Sequence, residues 1–166
     1  MIEAISVDDR VVQAELQRML GRSQNPSPAM AGIAVRMASA IDDNFRAQGR
    51  PTRWNRLKAS TIAARAKAGK AGLILQASGK LRASMTPFHG RDFAGVGTNR
   101  PYAAAMNNGS RPHTIVPRTK KALAFNGRFA KRVRHPGTSP RPFMVLLDVD
   151  KADIIKIMAQ HIMSGM

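Results

Sequence analysis

Apolar residues recur at helical spacing in three stretches of the chain and alternate or cluster briefly elsewhere. Val12, Leu16, Met19 and Leu20 line one face of a first segment, predicting a helix over residues 8–20, capped by Ser6 or Asp8 and ended at Gly21. Met30, Ala34, Met37, Ile41 and Phe45 share one face of a second, over residues 28–47. Its start follows from Pro28, whose ring fixes a helical φ where no amide donor is needed. Ile154, Ile155, Met158 and Ile162 repeat the pattern near the end, where Asp150 is placed to cap a last helix. Between them lie an alanine-rich helix over residues 60–68, a turn or two of helix at 78–85, and a short helix at 101–107 stopped by Gly109.

From residue 88 onward the apolar runs shorten to strand length. Strands are expected at Phe88 and over residues 93–97, 114–116, 122–125 and 129–133. Asn126-Gly127 sits between the last two, and both positions of a type I′ turn require positive φ, so this pair predicts a hairpin. The expected class is α+β: a small antiparallel β-sheet packed with the N-terminal helices and a C-terminal helix. The chain of 166 residues reads as one domain, with a helical part at 1–49, a basic and mainly β part with short helices at 50–149, and the last helix at 150–166.

Composition changes the picture by weakening the core. Leu, Ile, Val and Phe make up 35 residues, or 21% of the chain, against 25 alanines. That is close to the fraction below which a highly charged chain reads as disordered. The expectation is a domain marginal by itself and completed by neighbours. Cysteine is absent, which removes disulfides, thiolate metal sites and thiol nucleophiles. No apolar run is long enough to span a bilayer, and Met1-Ile2-Glu3-Ala4 opens no secretory signal, so no membrane partner and synthesis in a cytoplasm are expected.

Charge is strongly localised. The net charge is +17; residues 1–43 carry −2, residues 142–166 carry −1, and residues 44–141 carry 21 bases with Asp92 as their single acid. Such an excess implies a negatively charged partner, nucleic acid or acidic protein. The bases are scattered rather than run together, so they decorate folded elements. Candidate protein-facing or DNA-facing residues are Trp54, Arg111, Arg118, Lys120, Lys121, Arg128, Lys131, Arg132, Arg134, His135 and Arg141. Taken as one strand, residues 128–133 put Arg128, Ala130 and Arg132 on one face and Phe129, Lys131 and Val133 on the other. Trp54, the single tryptophan, either seals the edge of the core or offers its ring to a base or a partner protein.

Chemistry is harder to find. His89, His113, His135 and His161 have no metal-ligand spacing, and Asp8 with Asp9, Asp42 with Asp43 and Asp148 with Asp150 lie at helix ends, where capping accounts for them. Gly95-Val96-Gly97 lacks the third glycine of a dinucleotide loop and reads as a bulged or tightly packed strand. A serine triad lacks a carboxylate in the central region. No catalytic residue, metal or cofactor is assigned, and a hydrolase is set aside for want of an acid and a base.

Three stretches together carry a resemblance. Trp54-Asn55-Arg56-Leu57 with Thr61 and Arg65 precedes Ile74-Leu75-Gln76-Ala77-Ser78-Gly79-Lys80-Leu81-Arg82-Ala83-Ser84. Gly97-Thr98, Pro101-Tyr102-Ala103-Ala104 and Asn108-Gly109 come next. Lys120-Lys121-Ala122-Leu123-Ala124-Phe125 and Val133-Arg134-His135-Pro136-Gly137-Thr138-Ser139-Pro140-Arg141-Pro142-Phe143-Met144 complete the order. The pattern resembles the virion-morphogenesis, or tail-completion, proteins of tailed bacteriophages, Mu-like phages among them, over roughly residues 30–163; residues 1–28 have no counterpart in it. The resemblance implies a noncatalytic structural protein of the virion neck where tail meets head. It implies a ring of its own copies, six favoured, between head-connector and tail-terminator or tail-tube proteins, with genomic DNA in the channel as a further partner. The alternative from charge alone is a sequence-independent duplex-binding protein.

Overall fold

The computed structural model describes residues 9–70, 72–118, 121–125 and 128–163, with the side chains of Phe125 and Arg128 outside that description. The element order is α1 (Arg10–Gln24), α2 (Ser27–Arg46), α3 (Ala59–Lys67), a 3-10 turn (Arg82–Ser84), β1 (Thr86–His89), β2 (Ala94–Gly97), α4 (Ala103–Asn108), β3 (His113–Ile115), β4 (Leu123–Phe125), β5 (Arg128–Ala130), β6 (Val133–His135) and α5 (Asp148–Met163). The class is α+β with antiparallel pairing throughout, as the sequence predicts. The strands divide among three two-stranded sheets, β1-β2, β3-β6 and β4-β5. Each ladder has only three or four residue pairs, so none offers a broad apolar face.

The chain forms two units, each assembled from separated segments. Unit 1 takes Met1–Asp42, Met85–Gly97 and Leu146–Met166; unit 2 takes Asp43–Ser84 and Thr98–Val145. In unit 1, α1 runs past Gly21 to Gln24, four residues beyond the Leu20 at which the sequence pattern would end it. A glycine within a helix costs about 1 kcal/mol against alanine and is tolerated where the ends are secured. Here the end is secured from α5. His161 Nε2 lies 3.2 Å from the Arg22 carbonyl oxygen and 3.0 Å from that of Asn25, and Arg22 Nη1 donates to the Ile162 carbonyl at 3.2 Å. Two carbonyls can only accept, so Nε2 carries the imidazole proton and satisfies the open C-terminus of α1. The expected caps at Ser6 and Asp8 lie outside the described residues.

The last helix begins at Asp148 rather than at Asp150. Asp150 is a third-position acid: its Oδ2 accepts from the Leu147 N–H at 2.9 Å, the reciprocal half of a capping box. The same buried carboxylate receives Arg36 of α2, whose Nη2 stands 2.6 Å from Asp150 Oδ1 while its Nε donates to Asp153 Oδ2 at 2.9 Å. Burial works against the Arg36 charge; the hydrogen bonds it donates to Asp153 and Asp150, with the charges of those carboxylates, outweigh it, and the guanidinium pKa moves up. Ala29, Ile33, Ala34, Ala40, Ile41 and Val96 supply the buried apolar positions of this unit. Gly95 pairs with Phe88, and a Cβ on it would meet the Phe88 ring at 2.5 Å, so the glycine is there to admit the ring.

In unit 2 the core is aromatic. Phe45 and Phe143 are fully buried, with ring centroids 5.2 Å apart, and Trp54 meets Phe45 edge-on at 5.8 Å. Ile74, Leu81 and Ala103 complete it. The predicted helix at 60–68 is α3 and that at 101–107 is α4, ended by Gly109 at φ +80°. The turns at 78–85 reduce to the 3-10 turn Arg82–Ser84. The single strand expected at 129–133 is two strands, because β5 ends at Ala130, where it leaves its partner β4, and β6 starts at Val133 to pair with β3. The Asn126-Gly127 turn lies outside the described residues; the strands on either side of it pair antiparallel.

Among the described residues, eight apolar side chains larger than alanine are buried, whereas seventeen large apolar side chains are exposed. In α1 the stripe Val12, Leu16 and Leu20 is open to solvent at 60%, 58% and 51%.

Candidate interaction surface

The residues of the third sequence stretch form a loop that unit 2 holds at several points. Trp54 Nε1 donates to the Pro142 carbonyl at 3.0 Å. Asn44, fully buried, donates from Nδ2 to the carbonyls of Phe143 and Val145 at 2.8 and 2.9 Å. From α4, Asn107 Oδ1 accepts the N–H groups of Phe143 and Met144, both at 3.0 Å, and the Arg141 N–H donates to the Met106 carbonyl. The prolines of the loop supply no donors, so asparagine and tryptophan side chains do the pairing that a strand would otherwise do.

Upstream, Ser110 and Thr138 exchange backbone hydrogen bonds at 2.9 and 3.1 Å. Gly109 and Gly137 flank this bridge with φ of +80° and +89°. A Cβ at Gly109 would meet the Thr138 carbonyl oxygen at 2.7 Å, and one at Gly137 would strike the Ser110 carbonyl oxygen. Both positions require glycine for conformation and for space.

The bridge aligns the ribbon β3-β6, in which His113 pairs with His135, Thr114 with Arg134 and Ile115 with Val133. The imidazoles of His113 and His135 stack with centroids 5.0 Å apart. The Gly137 N–H donates to His135 Nδ1 at 3.1 Å, and His113 Nδ1 lies 2.9 Å from the Arg111 carbonyl oxygen, to which it donates. Alternation puts Thr114, Arg132 and Arg134 on one side of the ribbon. Together with Pro112 and His113 they line a concave space of about 660 Å³.

The sequence candidates therefore separate. Arg132, Arg134 and His135 come together on the ribbon, joined by His113, which sequence reasoning passed over because its partner lies across a strand pair. Arg132 belongs beside Arg134, and the strand expected to run through it from residue 129 breaks between Ala130 and Val133. Arg111, Arg118, Lys121 and Lys131 are exposed, and Arg141 is half-buried with an Nε that has no hydrogen-bond partner among the described residues. Lys120 and the side chain of Arg128 lie outside the described residues. Trp54 is a correction: it is 6% exposed, and its ring and N–H are used inside unit 2, so it seals the core and does not offer its face to a partner. Asn44 and Asn107 were missed; a buried asparagine has no sequence signal until the carbonyls it serves are located.

Unit 2 holds twenty of the lysines and arginines and one acid, Asp43, for a net +19 against −2 in unit 1. The ribbon thus sits in a region unable to neutralise itself. Among the described residues no group of three or more His, Asp or Glu is placed to hold a metal ion, and no helix is long and apolar enough to cross a membrane.

The profile of the phage virion morphogenesis family matches residues 7–163, which includes α1 and so reaches beyond the stretch that the motifs cover. The chain is similar to G protein 2 of the Mu-like prophage FluMu of Haemophilus influenzae, 31% identical over 156 residues that take in 94% of this chain and 92% of that protein. No solved structure matches.

Proposed function

The chain belongs to the phage virion morphogenesis family, and from that premise we propose that it is a noncatalytic joint of the virion neck, completing the tail and joining it to the head as a ring of identical copies. A phage virion morphogenesis role follows from the family itself. The finer placement is a reading supported by one observation above the rest: among the described residues, more large apolar side chains are exposed than buried. A polypeptide so built gains by association, since each apolar side chain removed from water contributes about 1.5–3 kcal/mol. A ring also repeats one heterologous contact until it closes, which lets a small protein form a wide collar. Neighbours on either side of the collar would be head-connector and tail-terminator or tail-tube proteins.

The test is a phage or prophage from which this gene is deleted. Electron micrographs of its lysates should show filled heads and tails lying apart, and expression of the protein in trans should restore joined particles. Normal virions from the deletion would overturn the reading. Purified protein should form a closed oligomer by mass photometry. The substitution Leu16→Glu on the open face of α1 should shift it toward monomer while its far-UV circular dichroism stays that of a folded chain.

A further inference from the structure

The groove on the β3-β6 ribbon takes no part in the core of unit 2, and its side chains have an evident chemistry. We propose that it binds the phosphate backbone of double-stranded DNA without reading base sequence. The charge balance comes first. Unit 2 carries +19, and a second copy could offer it only a unit of net −2, so assembly of copies leaves +17 per chain uncompensated. The missing counter-charge has to be dense and supplied from outside. Duplex DNA presents about one negative charge per 1.7 Å of axis, which is denser than a folded acidic surface.

Donor geometry is the second argument. Arg132 and Arg134 project two guanidinium forks to the same side of the ribbon, and Thr114, the cross-strand partner of Arg134, adds a hydroxyl. Arginine forks and threonine hydroxyls are the donors that phosphate oxygens take, and such contacts set position without carrying sequence information. Preorganisation is the third. The ribbon is fixed by the Ser110–Thr138 bridge and by the Gly137 N–H on His135, so little ordering entropy is lost on binding. The inference deepens the joint reading and rests on it only in expecting a genome to be at hand, since a collar between head and tail encircles the path of DNA.

The experiment is fluorescence anisotropy with full-length protein and labelled duplexes of about 30 base pairs and unrelated sequence, from about 50 to 200 mM salt. Affinity should be the same across sequences and fall linearly in log salt. The double variant R132A/R134A should bind at least about tenfold more weakly at the lowest salt, with a slope shallower by about two. R132K/R134K should restore the slope. The control K67A/K70A removes the same charge from the α3 region and should change affinity less than about threefold. If R132A/R134A loses its cooperative melt, R132Q alone carries the test, with a slope shallower by about one. Absence of duplex binding at the lowest salt, equal losses for the groove and control variants, or displacement of the duplex by polyglutamate at matched charge would each overturn the proposal. None of these outcomes touches head–tail joining, which the deletion phage measures separately.

Discussion

Unit 1 and unit 2 solve the problem of a small core in opposite ways. In unit 1, acids and bases nearly balance and meet one another: Arg36 reaches Asp150 and Asp153, and Glu15 receives Arg18 and Arg22. What unit 1 leaves unsatisfied is apolar, the open stripe of α1 and exposed Val35, Val149 and Ile155. In unit 2 the rings of Phe45, Trp54 and Phe143 are enclosed while Tyr102 and Phe129 are exposed, and the polar loop is held by the buried Asn44 and the half-buried Asn107. What unit 2 leaves unbalanced is net charge, with twenty bases against one carboxylate. A hydrophobic remainder favours other copies or neighbouring proteins; a cationic remainder favours a polyanion. One chain thus carries two kinds of incomplete surface, as a part placed between proteins and a nucleic acid would.

The largest effect that bears on this contrast is expected at Phe143. Its side chain is fully buried against Phe45, and its own backbone is held by Asn44 and Asn107. Phe143→Ala should cost about 3–5 kcal/mol in equilibrium urea unfolding, through lost burial and the cavity left behind. A loss below about 1 kcal/mol would mean that the aromatic cluster is not what holds unit 2 together.

The next effect belongs to unit 1. Asp150→Asn keeps the shape of the side chain while removing the charge opposite Arg36 and weakening the acceptor for the Leu147 N–H. Asp153 still faces the guanidinium, so the loss should stop at about 2–3 kcal/mol rather than reach the full effect of an unpaired buried charge. By contrast Arg118→Ala, an exposed base in unit 2, should fall within about 0.5 kcal/mol of the parent in the same assay. Equal losses at the two sites would erase the distinction between a unit that spends its charges internally and one that keeps them for a partner.

How far the sequence foretold these features follows from how local their causes are. Helices α2 and α3 were legible because proline, glycine and a 3.6-residue apolar repeat act within a few positions. The extent of α1 was not, since it depends on His161, far along the chain. The break between β5 and β6 was likewise invisible: residues 129–133 have strand composition throughout, and only the pairing of β6 with β3 separates them. The same holds for the site. The excess of bases over residues 44–141 announced a cationic surface, but which of them share a groove was decided by the register Thr114↔Arg134 and by a glycine-flanked bridge between distant loops. Trp54 was ambiguous for the converse reason, that its acceptor, the Pro142 carbonyl, carries no mark in the sequence.

The smallest effect sharpens the comparison from the side of exposed charge. Asp148, at the start of α5, accepts from Lys151 Nζ at 2.9 Å, and that hydrogen bond together with the lysine charge holds its carboxyl below the usual range. A depressed folded-state pKa contributes stability above the unfolded value, near 3.9, and that contribution is lost as pH falls through the lower folded value. Asp148 is open to solvent, so this pair is screened by salt and contributes little. Asp148→Asn should therefore leave the melting curve at neutral pH almost unchanged and flatten slightly its decline in the acid range below about pH 4. Asp150→Asn should instead lower the neutral-pH melt itself. The two positions lie two residues apart in the first turn of α5, one enclosed against Arg36 and the Leu147 N–H and the other open to solvent beside Lys151. If they gave the same acid profile and the same neutral loss, enclosure would not be what separates an ion pair that holds unit 1 together from one that merely decorates it.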